Sequence, residues 1–358
     1  MHDRSVTKIH CREIDCPLCG ASEIQRVLTG SDLQYGVPGE FHLGKCVECG
    51  HVFMNPQPHL ESIGDCYPPN YGPHRSAESN KRLDGAGPGN DTSQPVLPEK
   101  PWYMRLGAGR VPGLKRLYEW LAESRSHIIP GQARGKSAVE IGCANGDFLL
   151  QLQSGGWTVQ GVEPSAQAAR TAEQRGLTVH RGTLETAELA DESFDVVFAW
   201  MVIEHLPQPK TTLSHIHRIL KPGGQFAFSV PNYGCWEPKV FGKHWDAFEL
   251  PRHLQHFTPK TITRLLESTG FCDVKITHQR NVLNVVGSLG FKLRAWRPNS
   301  RLAKRLITWP HQPTMWPQLA WAPVAKLLAI LRQGGRLTII ATRSDTAHST
   351  AASNEGIA

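Results

Sequence analysis

Two sets of reactive groups stand at spacings that carry chemistry. Cys16-Pro-Leu-Cys19-Gly and Cys46-Val-Glu-Cys49-Gly are C-x-x-C-G turns separated by twenty-six residues. Each aims two thiolates at one point, and together they complete a tetrahedral four-cysteine zinc site. With Cys16, Cys19, Cys46 and Cys49 filling every position, the zinc is expected to be structural. Thiols that bind nothing, or that act in redox chemistry, are the alternatives. The second set, Glu140-Ile-Gly142-Cys143-Ala144-Asn-Gly146, lies between a short apolar run and a helical pattern, and Glu163 closes the next apolar run. Strand, glycine turn, helix, strand opens a doubly wound α/β domain, in which an acid at the second strand's end holds a ribose. A nucleoside cofactor is implied.

The spelling of the turn separates the cofactors. Dinucleotide folds want G-x-G-x-x-G, whereas here an acid stands two residues ahead of the first glycine. The run resembles the first motif of class I S-adenosylmethionine-dependent methyltransferases, D/E-x-G-x-G-x-G, with Ala144 in place of the middle glycine. The resemblance extends through Glu163, SFDVVFAWMVIEHL at 193–206 and ILKPGGQFAFSVPN at 219–232. It implies an α/β, Rossmann-like, seven-stranded sheet with helices on both faces, preceded by a small zinc ribbon. S-adenosyl-L-methionine would be held by Glu140, Gly142, Cys143, Ala144, Gly146, Glu163 and Pro164. Thr183 and Leu184, ending the third strand, would lie by the adenine. Ligands of open α/β sheets gather at the carboxyl ends of strands, so Trp200 and Met201 should border the sulfonium and the acceptor. CPLCG, then CVECGHVFMNPQP, then this core resembles the zinc-ribbon methyltransferases of sugar and polysaccharide biosynthesis.

The elements that must position these groups follow in order. Residues 10–71 read as the ribbon, too short to fold on an apolar core of its own. Residues 72–100 read as a flexible linker, and 101–345 as the methyltransferase domain, with a helix-compatible stretch at 102–129. Strands are expected near 137–142, 158–163, 178–181, 194–200, 225–230, 272–278 and 336–342. The long polar and aromatic connection after the fifth strand should build the acceptor pocket. Its end, Arg252-His253-Leu254-Gln255-His256-Phe257-Thr258, resembles a string of sugar C-methyltransferases whose first histidine belongs to the acid/base apparatus. His253 is the expected general base, with His256 and His205 behind it, although His205 also suits bracing the loop. Arg252 replaces that family's glutamate, which weighs against carbon methylation, so that O- and C-methylation both stay open, and it suits an arginine clamp on a substrate anion. A helical basic insertion at 280–334 precedes the last strand. Within it, residues 291–309 interleave cations and apolar residues as a peripheral membrane contact would. The tail, 346–358, reads as disordered.

Composition bounds the partners. The 358 residues carry a net charge of +7 and contain no apolar run of membrane-spanning length. A cytoplasmic enzyme is expected, reaching the inner face of the membrane at most peripherally. Its acceptor would be a small molecule or a glycan, lipid-linked if the basic segment meets lipid. Nucleic acid is disfavoured: an RNA base methyltransferase often carries an N-P-P-Y-like string where this chain has Trp200-Met201-Val202-Ile203. A non-catalytic zinc-binding module with a vestigial core is the third reading, opposed by the intact Glu140, Gly142, Gly146 and Glu163.

Overall fold

The computed structural model describes residues 9–68, 71, 135–311 and 315–344. The expected linker, the helix-compatible stretch at 102–129 and the tail lie outside them. The N-terminal module contains β1 (Cys11–Arg12), β2 (Ile24–Gly30), β3 (Phe41–Cys46), β4 (Val52–Met54) and β5 (Gln57–Pro58). In the main domain β6 (Ser137–Ile141), α1 (Asp147–Ser154), β7 (Thr158–Glu163), α2 (Ala166–Gln174) and β8 (Val179–Arg181) form the first half. The second half runs β9 (Phe194–Trp200), α3 (Pro209–Ile219), β10 (Leu220–Pro231), α4 (Glu237–Phe241), β11 (Gln255–His256) and α5 (Pro259–Glu267). It ends with β12 (Phe271–His278), α6 (Leu283–Trp296), α7 (Arg301–Thr308), α8 (Met315–Ile330) and β13 (Arg336–Arg343).

β6 and β9 are apolar and almost wholly buried, as strands covered by helices on both faces must be. They centre a seven-stranded sheet of order β12-β13-β10-β9-β6-β7-β8, in which β13 alone runs antiparallel to its neighbours. The chain moves outward from β6 to β8 and then returns to β9, so strand order reverses between β6 and β9. That switch point opens a crevice at the carboxyl ends of the two strands. All seven expected strands are present. β10 starts earlier than expected, at Leu220, and its register with β9 slips between Leu220 and Gln225, where Lys221-Pro-Gly-Gly224 interrupts the ladder.

The N-terminal module is built into this domain. β11, from the acceptor loop, pairs antiparallel with β4, so the module's second sheet reads β11-β4-β3-β2. Cys16, Leu18, Cys46, Cys49 and Phe53 join the same apolar cluster as Val139, Phe226 and Phe257. A capping box at Thr258 starts α5 directly after β11, fixing where the acceptor loop ends.

Among the described residues the insertion forms three α-helices, and its apolar residues divide. Phe291 is buried, while Leu306 and Trp309 pack against Val282, Val286 and Ala325. Trp296 and Leu302 stay outside. The Lys292 ammonium caps the Val240 carbonyl, and Arg294 donates to the Leu33 carbonyl of the N-terminal module. Half of the segment expected to meet lipid therefore covers the domain instead.

Candidate active site

The glycine turn leaves β6 at Gly142, whose φ of 70° is left-handed and whose absent Cβ would come within 2.6 Å of the Val202 side chain. Val202 follows β9, so the loops after the two central strands touch here. Gly146 is equally constrained: a Cβ would meet Leu177 at 2.2 Å. Ala144 adopts φ of 47° without glycine's freedom, a conformation costing about 1–2 kcal/mol. What holds it is Glu163, whose Oε2 accepts the Ala144 N–H at 2.9 Å while Oε1 accepts the Ser165 N–H at 2.7 Å. Burial raises the Glu163 pKa, partly offset by these two bonds. Glu140 is buried beneath, its Oε2 has no hydrogen-bond partner, and burial and the adjacent Glu163 and Asp147 raise its pKa well above the usual range.

The other cofactor candidates occupy varied settings. Cys143 turns its thiol into a cluster with Leu149, Ala172 and Leu177. Pro164 is exposed, and Thr183 donates its N–H to the Thr186 hydroxyl. Leu184 is buried in the main core. Trp200 stacks on Phe198 and meets Phe148 of α1 edge-on. Met201 takes φ of 55° as the chain leaves β9, the kind of strain concentrated at functional turns.

Immediately beyond, the 3-10 turn Ile203–His205 faces the acceptor loop. Ligand atoms of Glu204, His205 and His253 all lie within 4.8 Å of one another. The His205 and His253 rings meet edge to face at 4.6 Å between centroids. His253 Nδ1 lies 2.8 Å from the Ala247 carbonyl, which only accepts, so Nδ1 carries the proton and Nε2 keeps a lone pair. That lone pair faces Glu249 Oε2 at 3.4 Å. His205 Nδ1 lies 3.1 Å from the Arg252 carbonyl and 3.0 Å from the Tyr67 hydroxyl, so His205 does brace the loop while standing in the cluster. Burial pulls His253 down to about 3, and burial with the neighbouring His253 does the same to His205. Both rings are neutral at physiological pH. Glu204 is fully buried with neither carboxyl oxygen bonded, and burial, then the nearby Glu249, pushes it up to about 8. His256 sits apart, edge-on to Phe248 at 5.3 Å in β11, its Nε2 buried without a partner and its pKa held well below normal by burial.

Arg252 is not a substrate clamp. Its guanidinium, 1% exposed, donates to both oxygens of Asp32 at 2.9 Å each, to Glu249 at 3.2 Å and to the Cys66 carbonyl at 3.1 Å. Tyr35 covers its face at 4.6 Å. Burial opposes both charges, yet the pairing wins: Asp32 is held below its usual range and Arg252 above its own. The sequence resemblance set Arg252 against a family glutamate but gave no sign of Asp32, 220 residues away. Glu204, Glu249 and Tyr67 were likewise missed, although Glu204 stands beside His205 in the quoted EHL string.

In the N-terminal module, Cys16 Sγ lies 3.5 Å from Cys49 Sγ, and Cys19 Sγ 3.5 Å from Cys46 Sγ. A disulfide needs about 2.05 Å, whereas thiolates around zinc at about 2.3 Å stand about 3.8 Å apart. The four thiols thus have the spacing a tetrahedral ion requires.

The sheet order and its crevice have the Rossmann-like fold typical of class I methyltransferases. Residues 114–276 match the family model described as "Methyltransferase domain". A ubiquinone biosynthesis O-methyltransferase of Pseudomonas syringae pv. tomato is 33% identical over 105 residues, covering 27% of this chain and 45% of that protein. A protein of Mycolicibacterium smegmatis named as a probable S-adenosylmethionine-dependent methyltransferase is 30% identical over 173 residues, covering 46% of this chain and 64% of its own length. The chain thus spans less than two thirds of these relatives. Among solved structures, phosphoethanolamine N-methyltransferase 2 of Haemonchus contortus, in complex with S-adenosyl-L-methionine, aligns at 18% identity and a TM-score of 0.43, over 63% of this chain and 56% of that one.

Proposed function

We propose that this protein is an S-adenosylmethionine-dependent methyltransferase acting on a hydroxyl of a small-molecule acceptor, with His253 as general base. The observation that carries this reading is the meeting of Glu204, His205 and His253 within 4.8 Å beside the switch-point crevice. The turn fits the cofactor: each Glu163 oxygen keeps a second lone pair for a ribose hydroxyl, and the unpartnered Glu140 Oε2 can accept from a cationic amine. Bound there, S-adenosylmethionine supplies an electrophilic methyl on a sulfonium.

The chain's own residues do the rest. His253 Nε2 takes the proton from the acceptor hydroxyl as the oxygen becomes nucleophilic, and Glu249 stabilises the imidazolium so formed. Ala247 pre-aims the ring so that it needs no reorientation; burial makes His253 a weak base, so Glu249 at 3.4 Å must stabilise the imidazolium for the proton to move. Arg252 cannot take part, since Asp32 and Glu249 occupy it, and this favours oxygen over carbon as the acceptor atom. Small-molecule O-methylation is also what the name of the Pseudomonas relative states of that protein.

A hydroxyl-rich acceptor, a sugar or lipid-linked glycan included, would suit the buried acids gathered around Arg336. Glu204, Glu237 and Asp246 all feel the Arg336 charge, and burial raises Glu237 and Asp246 to about 7. Asp246 Oδ1 and Trp236 Nε1 are buried without hydrogen-bond partners. Zinc held by the four cysteines would be structural, every position being filled by thiolate.

The test compares transfer of a labelled methyl group to a panel of hydroxylated small molecules by the wild type and by His253→Ala. Turnover should fall by about 100-fold or more, with cofactor affinity retained by calorimetry. Equal turnover would remove His253 from the mechanism.

A further inference from the structure

We propose that the outer face of the helical insertion docks on an anionic lipid bilayer. Ala325 and Leu328 of α8 pack inward against Val282, Val286, Leu306 and Trp309. The helix's other side, with Leu331 just beyond its end, leaves Trp321, Val324, Leu327, Ile330 and Leu331 between 42% and 68% exposed. A helix on the surface of a water-soluble domain ordinarily turns its polar side outward. α8 does the reverse along this side. α6 and α7 add Trp296, 73% exposed, and Leu302, 57% exposed.

Charge identifies the occupant. From 274 to 344 the sequence has twelve lysines and arginines and no aspartate or glutamate. Arg301, Lys304 and Arg305 are exposed on α7, and Arg297 lies over the Trp296 ring at 4.3 Å. Two copies meeting through this face would press like charges together, as a self-complementary contact places each patch on its own image. A bilayer with acidic headgroups offers the opposite charge to the cations and hydrocarbon to the indoles and leucines. Among the described residues no helix is long and apolar enough to cross a membrane, so the contact lies in the interfacial plane. The inference stands independently of the acceptor's identity.

Co-sedimentation of the full chain with vesicles tests it, using phosphatidylcholine alone and phosphatidylcholine mixed with phosphatidylglycerol. Binding is expected only to the mixed vesicles and should weaken as salt rises. Replacing Leu327→Glu together with Ile330→Glu should lower that binding at least about tenfold, since two apolar side chains that would enter the hydrocarbon are replaced by charges. Arg301→Glu with Lys304→Glu should weaken it independently, which decides the matter if the first variant melts early. No binding to acidic vesicles, or unchanged binding by both well-folded variants, would overturn the inference. So would light scattering that finds a dimer which the Leu327→Glu, Ile330→Glu variant dissolves.

Discussion

Glu163 ties Ala144 into a left-handed turn, and in the proposed function its remaining lone pairs receive a ribose. Glu163→Ala should therefore weaken S-adenosylmethionine binding by more than about tenfold, because charge-assisted bonds and the turn's geometry are lost together. Calorimetry showing unchanged affinity would displace the ribose site. Glu204 gives a pH signature. Its folded pKa, about 8, lies above the unfolded value of about 4.3. Between these, the native state keeps a proton that the unfolded chain has released, so this group's contribution to stability declines as pH rises. His205 and His253, depressed to about 3 from about 6.5, act in the opposite sense and only below about 6.5. Denaturant titrations should therefore show Glu204→Gln flattening the decline between about pH 6.5 and 8; a slope equal to the wild type's would contradict the assignment. The sequence made the turn and Glu163 legible because backbone conformation dictates residue type there. It pointed to His253 and His205 but not to Glu204, since burial is a property of the folded loop.

The acceptor loop, at the level of elements, is held from the N-terminal side. β4 lends it a strand partner, His51 Nε2 bonds Gln255 at 2.9 Å, and Asp32 grips Arg252 one residue from His253. Removing one partner of a buried ion pair leaves the other charge stranded, at about 3–5 kcal/mol. Asp32→Ala should lower unfolding free energy by that order and reduce turnover through the displaced His253. An unaltered denaturation midpoint would show the pair to be dispensable. Strand positions were readable from apolar runs that repeat at strand length, and the C-x-x-C turns from their spacing. The β4–β11 pairing was not, because strands of three and two residues carry no periodicity and lie far apart in the sequence, Gln255 pairing with Phe53.

The whole molecule joins a switch-point crevice, a metal-competent module that braces the loop opposite it, and a cationic helical cover. The α/β core was legible as four ordered motifs, whereas the way the module closes the site depends on Asp32, Tyr67 and Arg252, which share no motif. All these parts converge on one claim, that methyl transfer from S-adenosylmethionine depends on a base at His253. The most direct measurement incubates the full-length protein with trideuteromethyl-labelled S-adenosylmethionine and separate pools of water-soluble and lipid-linked acceptors, and reads the products by mass spectrometry. A product carrying the labelled methyl on oxygen, formed by the wild type and lost in a His253→Ala variant that still binds the cofactor, is the predicted result. Labelled product formed equally by both proteins, or no labelled product from either pool despite bound cofactor, would contradict it.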